Sequence, residues 1–128
     1  DVWYDGWKSG YGNGTQGAGL MKGIESVCFQ IISYTGAAKS CFVEAINEAE
    51  QGNFERAEEL LCEGDQNFNE GHHAHFGLLQ KEAQQEHVEI RLLLLHAEDQ
   101  MMAAETIRIL AEKFIQIHKE LKKGGKND

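Results

Sequence analysis

The chain has 128 residues and a formal net charge of −9, from 21 acidic against 12 basic side chains. That length supports one modest core rather than two. The acidic balance argues against nucleic acid as a ligand, because phosphate contacts need clustered Lys and Arg and the only basic cluster is the tail Lys119, Lys122, Lys123 and Lys126. Cys28, Cys41 and Cys62 form no C-x-x-C spacing, which argues against a disulfide scaffold or a thiolate zinc site, so they read as small apolar residues of a reducing cytosol. No apolar run approaches the roughly 20 residues of a bilayer span, and the N-terminus lacks the basic flank and apolar core of an export signal. A soluble, cytoplasmic protein without membrane insertion is expected.

Residues 1–23 hold seven of the fourteen glycines, with Trp3, Trp7, Tyr4 and Tyr11 among them. Each glycine costs a helix about 1 kcal/mol relative to Ala, so this stretch reads either as a flexible or non-native leader, or as an arm whose aromatic side chains dock on the body. From Ile24 the pattern turns helical, with Ile24, Val27, Ile31, Tyr34, Ala38, Cys41 and Ala45 stepping by three and four. This predicts a helix to about Gln51, with Gly52 as its stop and Asn53 as a cap for the next. The second seam follows as Phe54, Ala57, Leu61, Gly64, Phe68, Gly71, His75 and Leu78, and its two glycines predict a close helix approach. A polar turn is expected over Lys81 to Glu89. The third helix then runs from about Val88 to Lys123 along His96, Gln100, Ala103, Ile107, Leu110, Phe114, Ile117 and Leu121. With no proline, the expected fold is an all-α, antiparallel three-helix bundle over residues 24–123, followed by a short tail, 124–128.

The third seam begins with polar groups, His96 and Gln100, with Asp99 beside them. His96 and Asp99, three apart, share a helix face, and a neutral imidazole at the rim of a bundle is a competent nucleophile toward phosphoryl groups. The same pair also fits a structural contact. Asp99 has no basic residue near it in sequence, so it sits either at a solvent-facing edge or at a symmetry axis. In the second case three copies would converge three carboxylates on a divalent cation, Mg²⁺ by its preference for oxygen ligands. His72, His73 and His75 cluster beside Glu70, but His72 and His75 are one step short of the H-x-x-x-H zinc geometry. The acidic run from Glu48 to Glu63 reads as a solvated face.

Three ordered segments, ISYTGAAKS from Ile32 to Ser40, EAEQGNFERA from Glu48 to Ala57, and LLLLHAEDQMM from Leu92 to Met102, resemble the enzyme IIA component of the lactose/cellobiose/chitobiose branch of the phosphoenolpyruvate-dependent sugar phosphotransferase system. That family shows G-x-A-[RK]-S, A-E-x-G-[DN]-F and H-A-Q-D-H-L-M at those places, and the likeness covers roughly residues 24–122. The resemblance implies a phosphocarrier that takes a phosphoryl group on His96 from the small carrier HPr and passes it to the cysteine of an enzyme IIB. It also implies a homotrimer of three-helix subunits with Asp99 as metal ligand. His75 and Gln100, in seam register, are candidates to donate hydrogen bonds to the phosphoryl oxygens.

The chain departs from the pattern in two segments. The signature reads His96-Ala97-Glu98-Asp99-Gln100, and the second helix's A-H-x-x-Q-T reads Gly71-His72-His73-Ala74-His75-Phe76. Glu98 adds negative charge near an incoming phosphoryl group unless it points away. These changes motivate an alternative, a non-catalytic helical regulatory or binding module on the same scaffold.

Overall fold

A computed structural model describes residues 23–125. Three helices account for nearly all of them: α1, Ile24–Glu50; α2, Phe54–Ala83; and α3, Leu92–Gly125. Short connections turn each helix back on the one before. α1 packs along both neighbours, while α2 and α3 meet each other sparingly. The expected all-α bundle is present. The expectation for the leader falls on residues 1–22, outside the described residues, as do 126–128 of the tail; α3 continues through Gly125, two residues beyond the helix end expected at Lys123.

The first turn forms as its sequence requires. Gly52 stands at φ +82°, a conformation that costs an L side chain about 1–2 kcal/mol. Its N–H donates to the Ala49 carbonyl at 3.0 Å, and the Asn53 N–H donates to the Glu48 carbonyl at 2.9 Å. This paired closure of the last carbonyls ends α1. Asn53 does occupy the position before α2, but its side chain makes no cap bond and donates instead to Glu48 Oε2 at 2.8 Å.

The second turn uses the same device without a glycine. Gln85 takes φ +63°, its N–H reaches the Glu82 carbonyl at 3.0 Å, and the Glu86 N–H reaches the Lys81 carbonyl at 3.0 Å. The polar stretch therefore stays helical to Ala83, and α3 starts at Leu92 rather than Val88. With Gln in the left-handed position, the sequence carried no stop signal there.

The core forms two clusters. Near the first turn, Ala38, Phe42, Ala45, Ala49, Ala57, Leu60, Leu61, Ala111 and Ile115 are buried together. Toward the other end, Cys28, Ile31, Ile32, Leu78, Leu94, Ala97 and Met101 are. Phe68 packs against both. The buried seam on α1 runs Cys28, Ile31, Thr35, Ala38, Phe42, Ala45 and Ala49, an alternation of three and four, with Ile32 buried beside it. Thr35 belongs to it because its hydroxyl donates to the Ile31 carbonyl at 2.7 Å, which removes the penalty of burying a polar group. The expected members Val27, Tyr34 and Cys41 each fall one residue short of it.

On α3 the buried set is Leu94, Ala97, Met101, Ala104, Ala111 and Ile115. The predicted seam from His96 to Leu121 is not the core of this chain: Leu110, Phe114, Ile117 and Leu121 are 46%, 42%, 48% and 64% exposed. α3 carries two apolar stripes, and the one with larger side chains masked the alanine-rich one that packs internally. At Arg108, where the alternation calls for an apolar residue, the guanidinium forks onto Asp65 of α2 at 2.9 and 3.0 Å. The Asp65 hydrogen bond, above all other causes, raises the Arg108 pKa beyond its ordinary value.

The α2 seam matches its prediction in Ala57, Leu61, Gly64, Gly71 and Leu78. A Cβ at Gly64 would stand 2.4 Å from Cε1 of Phe42, and one at Gly71 would stand 3.1 Å from Cγ2 of Thr35. Phe42 is fully buried and cannot swing aside. Gly64→Ala is expected to lower unfolding free energy by about 1–3 kcal/mol through overpacking. By contrast, Gly77→Ala, where nothing lies within 4 Å of the added carbon, should gain up to about 1 kcal/mol from helix propensity. Urea denaturation of both variants checks the pair; stabilisation at Gly64 would refute the close approach.

Candidate functional site

α3 positions the candidate residues in its first three turns. Arg91, just ahead of the helix, ties its start to α1 by donating to Glu25 at 2.7 Å while a second arm holds Glu89 at 2.8 Å. Ala97 is fully buried and points into the bundle. Successive residues turn by about 100°, so His96 and Glu98 leave α3 on opposite flanks of Ala97. Asp99 and Gln100 return to the His96 side.

His96 is half-buried, and its Nε2 is closed off from water. Asp99 is exposed, and no ion pair among the described residues reaches it. Gln100 is half-buried beside them. Around the histidine, Leu92, Leu95 and Met102 are 83%, 55% and 66% exposed. These side chains project from the helix on its outer side rather than into the core. His96 thus stands on a flank of α3, between the buried Ala97 and exposed apolar side chains.

His75 lies elsewhere. Its Nε2 meets Oε1 of Glu98, and since an ionised carboxylate only accepts, the imidazole donates. The side chain is 13% exposed against 39% for Glu98. Nδ1 of His75 is buried with no hydrogen-bond partner among the described residues. Glu98 also acts on the neighbouring core: burial pushes the Cys28 thiol up, and the Glu98 charge adds to the rise. The spacing in sequence gave no sign of a pair 23 residues apart.

The three clustered histidines separate in the fold. His72 stacks on Phe68 at 6.2 Å between ring centroids, His73 is exposed, and His75 turns to Glu98. Among the described residues no group of three or more His, Cys, Asp or Glu side chains is placed to hold a metal ion. No helix of the described residues is long and apolar enough to cross a membrane.

The fold is an all-helical, three-helix hairpin stack with a half-buried histidine near the start of its last helix. The family model described as the lactose/cellobiose-specific IIA subunit of the phosphotransferase system matches residues 26–119. The chain is 36% identical over 91 residues to the lactose-specific EIIA component of Streptococcus mutans, covering 71% of this chain and 88% of that protein. Its fold is similar to the crystal structure of the cellobiose-specific enzyme IIA of Bacillus anthracis, with a TM-score of 0.77 and 37% identity over 82% of this chain and 97% of that one. It is also similar to the IIA(Chitobiose) structure solved with HPr, with a TM-score of 0.71 and 26% identity over 80% of this chain and 99% of the other. The chain belongs to the lactose/cellobiose-specific IIA family of the sugar phosphotransferase system, whose members are phosphotransferase components that carry phosphoryl groups.

Proposed function

We propose that His96 is the residue on which this chain carries the phosphoryl group, receiving it from HPr and giving it to an enzyme IIB cysteine during uptake of a lactose-, cellobiose- or chitobiose-type sugar. The observation that carries this reading is the placement of His96 and Asp99 together on the outer flank of α3, beside exposed Leu92 and Leu95, where a partner protein reaches them. The relay belongs in the cytoplasm, and the sugar itself does not touch this subunit.

In the transfer, the lone pair of one ring nitrogen attacks phosphorus in line, forming an N–P bond as the bond to the donor breaks, while the other nitrogen keeps its hydrogen. Because Nε2 is closed off from water in the isolated chain, attack through that atom requires the ring to turn or its cover to shift on docking. Gln100, on the same flank, supports the phosphoryl oxygens as a neutral donor. Nothing favours the alternative of a non-catalytic module.

The second apolar stripe of α3 supports a homotrimer. Leu110, Phe114, Ile117 and Leu121 extend from the His96 flank and remain largely exposed in one chain, and burial of such area drives association. Asp99, a carboxylate with no ion pair among the described residues, lies on that flank, where three copies around an axis could share one site. A divalent cation there, Mg²⁺ by its preference for oxygen ligands, would offset the mutual repulsion of three carboxylates.

Incubation with phosphoenolpyruvate, enzyme I and HPr, followed by intact-mass measurement, is expected to show an acid-labile phosphoryl adduct on the native protein and none on His96→Ala. An adduct that persists in the variant would move the chemistry to another residue. Native mass measurement is expected to give a trimer that weakens when EDTA is added. A trimer indifferent to EDTA would remove the metal and leave the apolar stripe as sole cause; a monomer in both conditions would remove the assembly.

A further inference from the structure

Glu98 stands two residues beyond His96, so only about 3 Å of helix rise separates them. A carboxylate so close raises the cost of placing a phosphoryl group, itself negatively charged, on the imidazole. Among the described residues no Lys or Arg neutralises it: Arg91 is engaged with Glu25 and Glu89, and Arg108 with Asp65 and Glu112. The side chain that meets Glu98 is His75, on another helix.

The two residues lie 23 apart in sequence and meet in space across two helices. A neutral amide at position 98 would need no charged or strongly donating partner, whereas Glu98 does. His75 is largely buried, and its Nδ1 has no partner among the described residues. An imidazole held there at the cost of an unsatisfied nitrogen makes its polar contact among the described residues with Glu98.

We propose that His75 is a positioning residue for transfer at His96: it holds the Glu98 carboxylate against α2, on the flank of α3 away from His96, and so keeps that charge out of the path of the phosphoryl group. The proposal rests on His96 being the acceptor. The other charged or titratable groups at this end, Glu25, Cys28 and Arg91 toward α1, His72 and His73 on α2, and Asp99 on α3, are unchanged in the test, so only the position of the Glu98 charge varies.

The rate of phosphoryl transfer from phospho-HPr is measured for the native protein, His75→Gln, Glu98→Gln and the double variant, each at low and high salt, with thermal unfolding recorded for all. His75→Gln is expected to transfer roughly threefold more slowly, the size of one misplaced charge acting over several ångströms through a watery medium. Glu98→Gln should transfer no more slowly than the native protein, and the double variant should recover the rate lost in His75→Gln. The ratio of His75→Gln to native should approach one as salt screens the charge, which a packing defect would not do. A native rate in His75→Gln, or a double variant as slow as it, overturns the proposal. So does a single variant that fails to fold while the double variant folds, since the pair would then be a structural clamp. Absence of phosphorylation at His96 in the native protein would instead overturn the reading of the site on which the proposal stands.

Discussion

The bundle depends on how closely α2 can approach α1. Gly64 receives the ring of Phe42 and Gly71 receives Thr35, and a side chain at either point would push the two axes apart. Alanines at 38, 45 and 49 on α1 and at 97, 104 and 111 on α3 are buried, and small side chains of this kind permit close packing of the third helix. With such small residues in the seams, few large side chains fill the interior: Phe42, Ile31, Thr35 and Cys28 are the largest that are fully enclosed. Stability here comes from many short-range contacts between closely spaced helices, each weak alone and large in sum.

The same economy of size leaves large apolar side chains for the outside. On α3 the alanine-rich stripe suffices to hold the helix against α1, so Leu110, Phe114, Ile117 and Leu121 face away from the chain's own core. One helix therefore serves the fold on one face and presents His96 and Asp99 on another. If the proposed roles hold, substitutions on the outer face act on transfer and association before they act on folding.

How far the sequence revealed this follows from the contrast on each helix. α2 is polar apart from its seam, so Ala57, Leu61, Gly64, Gly71 and Leu78 stood out and were placed correctly. α1 is apolar over a wider arc, and Tyr34 and Cys41 competed with Thr35 and Phe42 for the seam. Thr35 could not have been preferred, because its burial depends on a hydroxyl bond back to Ile31. On α3 bulk misled, since Leu and Phe outrank Ala in any hydrophobic reading although the alanines make the tighter contact. The turn at Gln85 was hidden for a different reason: a residue that ordinarily avoids positive φ occupies the place where glycine is the usual marker.

For the candidate site, helical spacing and a local motif both point to His96 and Asp99, and the two do share the outer part of α3. The His75–Glu98 contact was not legible, because a pairing between helices depends on their register, and register on α3 was the part of the fold read from the wrong stripe. Once Ala97 is taken as the inward residue, Glu98 turns to one flank and His96 to the other. A carboxylate two residues from His96 is then physically reconcilable with the proposed carrier role of that histidine: α3 places the carboxylate on the far side of its own axis, where the imidazole of His75 on α2 meets it.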